Sequence, residues 1–307
     1  EARTDDDTDV EWIHLLATDR YRNRRVPYPL VAREWVRSIN DRIWVSNKHA
    51  RELISEGIIP PWTSYPALNP HASYNLSGQF CVEAYGFIAP GLPNEAARIG
   101  SHYAKITVRG EPIQACAYWT SMISLAFFED DIPALARRCL QSVDPQSQHA
   151  EMVRDVLKWH DELPEDWQAL RGHVQKKYRD ERGWNMNATI TNGAFVLAAL
   201  LYGEGDFVST MRYAFALGYD ADCNAATCGA ILGAMHGAKQ MESHAGWVLP
   251  KVYVNTTRDG LPKQQSMEEL VDLTMRIAHQ TIIGSGGAMS GETLFYIPVR
   301  EPDLLEP

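Results

Sequence analysis

Several features that mark other classes of protein are missing from this chain of 307 residues. No apolar run approaches the roughly 18 residues that a membrane-spanning helix needs. There is no basic run either, and 29 Lys and Arg against 39 Asp and Glu give a net charge of −10. An acidic chain without a basic run is a poor candidate for binding a phosphate backbone. We therefore expect neither a membrane protein nor a nucleic-acid-binding protein.

Paired cysteines are missing as well. The five cysteines are odd in number and scattered, without a Cys-x-x-Cys pair: Cys81, Cys116, Cys139, Cys223 and Cys228. A disulfide framework is not expected in such a chain, and the start has no signal-like pattern, so a cytoplasmic location is favoured. Because the chain begins at Glu1 rather than at Met, we expect that an N-terminal segment is missing.

Alternating strand patterns are nearly absent, and the best candidate is ETLFYIPV at residues 292–299. Helical spacing of apolar residues dominates, for example over residues 30–58 and over residues 112–128, where nearly every side is apolar. Ser266 and Glu269 form a capping-box pattern that predicts the start of another helix. No repeat, linker or shift in composition marks a domain boundary. The sequence therefore predicts an all-α protein.

A first acidic motif lies near the N-terminus, in RTDDDTDVEWI at residues 3–13. Four carboxylates fall within five positions, just ahead of a helical pattern: Asp5, Asp6, Asp7 and Asp9. Clustered carboxylates repel each other, so their coexistence needs a physical reason. A hard divalent cation, which takes oxygen ligands, is one such reason. A solvated helix N-terminus, where acids complement the macrodipole, is the alternative.

A second acidic motif lies in LGYDADCNAATCGAILGAMHGAK at residues 217–239. Asp220 and Asp222 alternate in a turn after Gly218, and small residues then recur at every third or fourth position. Such a stripe allows close approach of neighbouring backbones, which predicts two carboxylates held by a helix in the middle of the domain. Capping of this helix by Asp222 or Asn224 is the alternative interpretation, but it accounts for only one of the acids.

Together, the two motifs resemble those of the ADP-ribosylglycohydrolase family, which includes dinitrogenase reductase-activating glycohydrolases and ADP-ribosyl-acceptor hydrolases. That family carries T-D-D-T near its N-terminus and G-D-T-D-T-N-A-A near its C-terminus. Here DDDTD is followed roughly 210 residues later by GYDADCNAA, and residues 183–207 are also similar to bacterial members. The resemblance covers essentially the whole chain as one domain, residues 1–307. The family's usual N-terminal helix, with its acidic residue near the substrate, is not found in this chain.

The resemblance implies a compact all-helical domain with two magnesium ions in a central cleft. It implies hydrolysis of the glycosidic bond at the anomeric carbon of a ribose. In the second motif, the metal-binding aspartates correspond to Asp220 and Asp222. Cys223 stands where the family has a ligating threonine, and a thiol suits magnesium poorly. One of the two sites is therefore expected to be weak, and manganese is expected to be able to replace magnesium.

In the first motif, two registers are open. If Thr8 is the second threonine of T-D-D-T, the family aspartates fall on Asp6 and Asp7, and Asp5 stands in place of the first threonine. The other register uses Thr4, Asp5 and Asp6. The resemblance implies that Asp6 or Asp7 takes a proton from water or stabilises an oxocarbenium-like charge, and that all three aspartates contact metal.

The specificity segment of the family, a Ser/Gly-rich middle motif that ends in Met-Arg, is not matched cleanly. Its counterpart over residues 75–97 makes Gly78 and Gln79 the expected cleft residues. Tyr219 replaces a small or polar residue and is expected to stack on a sugar or base, and Asn187 is a fourth expected substrate contact.

The first interpretation is a magnesium-dependent glycohydrolase that acts on a small-molecule or ADP-ribosylated substrate. A hydrolase of a nucleoside or furanoside is the alternative enzyme, because the specificity segment is altered. A non-catalytic metal-binding relative is the alternative from another class, although an idle site has no need for mutually repelling carboxylates. Under the first interpretation, the two motifs meet in space with carboxylates roughly 4–6 Å apart. The leaving group and the oligomeric state stay open.

Overall fold

The computed structural model describes residues 2–246, 248–291 and 294–305. Helices dominate these residues, so the all-α prediction is confirmed. The helices are α1 (Asp6–Tyr21), α2 (Tyr28–Ser38), α3 (Val45–Ser55), α4 (Ser77–Phe80), α5 (Glu83–Phe87), α6 (Pro93–Ala104), α7 (Glu111–Ala126), α8 (Ile132–Cys139), α9 (Gln148–Glu162), α10 (Trp167–Val174), α11 (Thr189–Gly203), α12 (Phe207–Leu217), α13 (Ala221–Ala245) and α14 (Met267–Gly284). A π-helical segment, Gln175–Glu181, continues α10, and short 3-10 turns occupy Trp62–Ser64 and Leu140–Ser142.

Short strands supplement the helices. They are β1 (Ala2–Arg3), β2 (Val252–Val254), β3 (Gln264–Ser266), β4 (Ala288–Ser290) and β5 (Leu294–Tyr296). β2 lies between a parallel β1 and an antiparallel β3, and β4 pairs antiparallel with β5. The predicted strand over residues 292–299 contains β5, although residues 292 and 293 lie outside the described residues. Pairing of β1 with β2 fixes the start of the chain, and hence the first acidic motif, against a segment about 250 residues away.

The single helix predicted over residues 30–58 is wrong over residues 39–44, because α2 and α3 are separate helices. Ile39 leaves helical geometry, with φ −101° and ψ 123°, and forms an isolated β-bridge with Arg258. The side-chain oxygen of Asn40 then accepts a hydrogen bond from the backbone of Arg42 at 2.9 Å, a turn that competes with helix continuation.

The core consists of two large apolar clusters that share α7. One cluster gathers side chains of α7 to α13 and the other gathers those of α1 to α3, α5, α6 and α14. Every residue from Ala115 to Ala126 is buried, which confirms that α7 is covered on all sides. The first acidic motif opens α1 in one cluster, and the second opens α13 in the other.

The glycines of α13 do not admit a neighbouring backbone, so the predicted close approach is wrong at these positions. A Cβ added at Gly229 would lie no closer than 3.9 Å to another atom, Cε2 of Phe207, and at Gly237 the backbone leaves helical geometry with φ +73°. The close approach occurs instead at Gly78 of α4. A Cβ there would lie 2.0 Å from the carbonyl oxygen of Pro112, so α4 packs directly on the first turn of α7.

None of the described helices combines the length and the apolar character needed to cross a membrane. All five cysteines are buried and free of disulfide bonds.

Candidate active site

Both acidic motifs line one cleft of about 300 Å³, here called the acidic cleft. Five carboxylates line it, each at an N-cap or first-turn position of α1 or α13: Asp5, Asp6, Asp7, Asp220 and Asp222. The motifs touch where the Cys223 thiol donates to Oδ2 of Asp7 at 3.3 Å. The expectation that the two motifs meet in space is thus confirmed. Because helix N-termini carry partial positive charge, both helix ends favour the carboxylates that they present.

Asp9 anchors the first motif from behind and does not line the acidic cleft. Its carboxylate accepts hydrogen bonds from Thr4 Oγ1 at 2.8 Å and from the backbone of Thr257 at 3.1 Å. It also forms a buried ion pair with Arg258, whose Nε lies 2.5 Å from Asp9 Oδ1. The Thr4 hydroxyl therefore faces Asp9 while Asp5 lines the cleft, a geometry that favours the register anchored on Thr8.

A chain of buried amides holds the second motif. Gln79 Nε2 donates to Asn224 Oδ1 at 3.1 Å, Asn224 Nδ2 donates to Asn192 Oδ1 at 3.0 Å, and the backbone N–H group of Asp220 donates to the same Asn192 oxygen at 3.1 Å. Gln79 thus supports Asp220 through two other residues, whereas we expected it to line the cleft. Asp220, and neither Asp222 nor Asn224, occupies the N-cap position of α13.

Sequence reasoning missed Asn192, although one signal was present. Asn192 is fully buried in α11, whose other side chains are mostly apolar. A buried amide in such a helix requires hydrogen-bond partners, and the carbonyl groups of Met186 and Ala188 accept from its Nδ2 group at 2.7 and 3.0 Å. A lone Asn in an apolar helical run is therefore the pattern that could have identified it.

Of the other expected substrate contacts, only some line the acidic cleft. Asn187 lines the acidic cleft. Tyr219 is half-buried in the turn before α13, with its ring centroid 4.9 Å from that of Phe195 and its hydroxyl 3.4 Å from Arg179. Tyr219 and the tightly packed Gly78 are both absent from the residues that line the cleft, so neither has the position expected of it.

Trp44 and Val45 form part of the cleft wall that sequence reasoning did not predict. The Trp44 side chain is 65% exposed, and its backbone N–H group donates to the Asp6 carboxylate. Val45 has a φ of 46°, which is a strained conformation for a β-branched residue. Strain of this kind is concentrated at functional sites, and Val45 is the first residue of α3 after the break from α2.

Asn75 is a further cleft residue that was not predicted. Its Oδ1 accepts hydrogen bonds from Ser46 Oγ at 2.8 Å and from the backbone of Ser77 at 3.1 Å. These bonds fix the side chain and leave its Nδ2 group without a partner among the described residues, so that group is able to donate to a ligand.

Burial and mutual repulsion raise the pKa values of the cleft carboxylates. Burial, followed by the charges of Asp5 and Asp6, raises the pKa of Asp7 well above its ordinary value. Burial and the charge of Asp5 raise the pKa of Asp6 to about 7. The pKa of Asp220 is raised mainly by burial. The charged forms of these carboxylates are therefore disfavoured, because the described side chains that line the cleft include no compensating cation.

The donor chemistry of the cleft fits a hard divalent cation. Two groups could each contribute three ligand atoms within 4.8 Å of one another: Asp5, Asp6 and Asp7, and Asp220, Asp222 and Cys223. Carboxylate oxygens are the ligands that magnesium prefers. Burial and the neighbouring carboxylates raise the pKa of the Cys223 thiol, so the thiol stays protonated and is a poor ligand.

Two further carboxylates lie behind the cleft, in a neighbouring cavity of about 340 Å³ that is also lined by Asp7. Glu11 accepts a hydrogen bond from the backbone of Ala84 at 2.9 Å, and Glu83 accepts one from Thr227 Oγ1 at 2.7 Å. Burial raises the pKa of Glu83 to about 8. Burial and the charge of Glu83 raise the pKa of Glu11 well above its ordinary value.

Comparison with known proteins agrees with this geometry. A family model described as ADP-ribosylglycohydrolase matches residues 3–282, a span that contains both acidic motifs. A search of curated proteins finds no match. The family is one of metal-dependent glycohydrolases, which accords with the carboxylate-rich cleft. On these grounds, the chain belongs to the ADP-ribosylglycohydrolase family.

Proposed function

We propose that the protein is a magnesium-dependent hydrolase that releases ADP-ribose from an acceptor by cleaving the bond at the ribose anomeric carbon. One observation carries the proposal: two helix N-termini, each bearing carboxylates, converge on a single cleft in a chain of this family. Under this proposal, residues 1–307 form a single domain of one enzyme.

The five cleft carboxylates would hold the cations, and manganese would be accepted because it shares the preference for oxygen ligands. When bound, magnesium would supply Lewis-acid polarisation of sugar hydroxyls and of water. Asp220 and Asp222 would act mainly as ligands, held in place by the amide chain through Asn192. Asp5, at the N-cap of α1, would complete the first group of ligands.

Asp6 or Asp7 would act on the attacking water. The water oxygen bonds to the anomeric carbon while the bond from that carbon to the acceptor atom breaks. The aspartate accepts a proton from the water and returns it to the acceptor, so the acceptor leaves neutral and the water oxygen becomes the anomeric hydroxyl. The positive charge that develops on the ribose ring would be stabilised by the remaining carboxylates.

The size of the acidic cleft supports binding of the sugar end of a larger ligand. About 300 Å³ lies at the lower end of the range for ligand pockets, which suits a ribose and its scissile bond. Nδ2 of Asn75 and the amide of Asn187 would donate to sugar hydroxyls. The exposed indole of Trp44 would contact the part of the ligand that extends out of the cleft, where an aromatic face suits a ring system.

The test is a substrate panel with the purified chain and magnesium, followed by chromatography of the products. The panel contains ADP-ribose joined to guanidinium, hydroxyl and carboxyl acceptors, together with nucleosides and simple furanosides. We expect release of free ADP-ribose from at least one acceptor, and no release in EDTA. Turnover of nucleosides or furanosides alone would favour the alternative hydrolase. Magnesium binding without any turnover would favour a non-catalytic relative.

A further inference from the structure

A second cavity, of about 550 Å³, has the opposite electrostatic character and shares no lining residue with the acidic cleft. Four cationic side chains line this basic pocket, which lies between α6 and the first turns of α2 and α7: Arg25, Arg98, Lys105 and Arg109. Asp144 is the one carboxylate among the described lining residues. A local excess of positive charge therefore exists in a chain whose net charge is −10.

The cations of the basic pocket are largely uncompensated by the protein. Within the part of the chain that the structure describes, Arg25, Lys105 and Arg109 form no ion pair, and Arg98 approaches only Glu95, at 3.9 Å. Like charges that share a cavity repel each other, so an arrangement of this kind favours a bound anion.

Hydrogen bonds and ring stacking hold several of the side chains that line the basic pocket in place. The guanidinium group of Arg109 donates to the carbonyl oxygen of Pro61 at 3.2 Å, which fixes its position. Tyr28 and His102 form a stacked wall, with ring centroids 4.4 Å apart and the Tyr28 hydroxyl donating to the backbone of His102. Arg25 and Lys105 line the same pocket as this wall.

The first turn of α7 adds a backbone contribution. α7 is 16 residues long, and Gly110 occupies its N-cap without a side-chain capping bond. Gly110, Ile113 and Gln114 all line the basic pocket. The N–H groups of Ile113 and Gln114 donate to the carbonyl oxygen of Gly110 at 2.9 and 3.4 Å, so this turn contributes the positive end of its dipole rather than free donors.

We propose that the basic pocket binds a small phosphorylated ligand through a phosphate or diphosphate group. Arginine guanidinium groups match phosphate oxygens in geometry, and several cations match a group with more than one negative charge. The volume lies within the range for small-molecule sites, whereas a nucleic acid needs an extended basic surface. Leu304 and Leu305 supply an apolar wall for the remainder of such a ligand.

The test is isothermal titration of the full chain with sodium pyrophosphate in EDTA, which removes cations that would recruit pyrophosphate to the acidic cleft. The variant Arg25→Gln/Lys105→Gln removes two cations of the pocket. The variant Lys158→Gln/Lys176→Gln removes two exposed lysines that line neither cavity and serves as the charge-matched control. Circular dichroism should report an unchanged fold for both, because Arg25 and Lys105 make no ion pair among the described residues and Lys158 makes only an exposed one, with Glu162 at 3.8 Å.

We expect wild type to bind one pyrophosphate per chain, the pocket variant to bind at least tenfold more weakly, and the control to stay within twofold of wild type. Titration with ADP shows whether the bound diphosphate belongs to an organic ligand. Tighter binding of ADP than of pyrophosphate indicates a diphosphate carried on an organic ligand, and weaker binding indicates the free anion. Three results would overturn the proposal. They are absence of binding to wild type, equal losses in both variants, and tighter binding of a single-stranded oligonucleotide than of pyrophosphate.

Discussion

The acidic cleft and the basic pocket both lie at helix N-termini, yet their side chains carry opposite charges. In the cleft, the ends of α1 and α13 present the protein's own carboxylates. In the pocket, cationic side chains from neighbouring segments lie beside the end of α7, whose own first turn carries Glu111. A helix end alone therefore does not decide what a site binds. The side chains around the helix end decide it, because carboxylates in the cleft attract a cation whereas cationic side chains in the pocket attract an anion.

The two cavities also differ in burial. Asp6 and Asp7 are buried enough for their pKa values to rise, whereas Arg25 and Arg98 are exposed. Because repulsion is stronger where water is excluded, changes of charge should have larger effects in the cleft than in the pocket.

Asp7→Asn should lower kcat for the best substrate of the panel by about 10³-fold or more. The substitution removes both a proposed proton acceptor and a proposed ligand while it preserves the size of the side chain. Steady-state kinetics measure the loss, and Asp180→Asn serves as control because Asp180 is exposed on the segment Gln175–Glu181. A kcat for Asp7→Asn within tenfold of wild type would contradict a central role for the first motif.

Glu83 should make the metal-free protein less stable as the pH rises. Its pKa is about 8 in the folded chain against an ordinary value of 4.5, so between these values the native state binds a proton that the unfolded state releases. The protonated carboxyl thus contributes a few kcal/mol to the free energy of unfolding. This contribution is fully present below about pH 4.5 and is lost progressively as the pH rises to 8. Urea unfolding in EDTA at pH 5, 6.5 and 8 measures this loss.

The matched variant is Glu83→Gln, which cannot titrate. Its free energy of unfolding should fall less between pH 5 and pH 8 than that of wild type, even if its stability at pH 5 is lower because Val82 or Thr227 loses an acceptor. Parallel pH profiles for the two proteins would mean that Glu83 is charged throughout this range.

Magnesium should raise the melting temperature of wild type, because binding to the native state alone stabilises it by about 2.7 kcal/mol at one hundred times Kd. Asp222→Ala should abolish this rise and should itself be more stable than wild type in EDTA, since one of several repelling carboxylates is removed. Thermal melts with and without magnesium measure both effects. A melting shift in the variant equal to that of wild type would remove Asp222 from the ligands.

Local patterns predicted much of the fold and of the site. The continuous burial of α7 followed from a run that is apolar on all sides, and the capping box of Ser266 and Glu269 is present as predicted, with reciprocal hydrogen bonds at 3.1 and 2.9 Å. Both acidic motifs could be identified because their carboxylates are close in sequence. Such features depend on interactions within a few residues, which a single sequence reports directly.

Features that depend on distant contacts could not be predicted in the same way. Trp44 lines the cleft after α2 ends at Ser38, and the next residue, Ile39, forms a bridge to Arg258, about 220 residues away. Gly78 was expected in the cleft because residues 75–97 are the counterpart of the family's Ser/Gly-rich motif, but its lack of a side chain serves close packing on Pro112. A glycine needed for packing and one needed for ligand access look the same in sequence.

Cys223→Thr should have the smallest effect and distinguishes two explanations of that residue. If Cys223 occupies a ligand position, its protonated thiol leaves one magnesium site weak, and a hydroxyl oxygen of nearly the same size should tighten magnesium binding by roughly tenfold. If Cys223 is only a small buried residue at the start of α13, the substitution should change stability slightly and magnesium affinity not at all.

The contact between the Cys223 thiol and Asp7 adds a second consequence to the ligand explanation. A threonine hydroxyl is a better hydrogen-bond donor than a thiol, so in metal-free protein it should hold the Asp7 carboxylate at least as firmly. Tighter magnesium binding would therefore have to come from the added oxygen ligand rather than from release of Asp7. Isothermal titration of both proteins with magnesium measures this difference, with Cys228→Thr, a fully buried cysteine elsewhere in α13, as the control for packing. Equal affinities in wild type and Cys223→Thr would leave packing as the explanation.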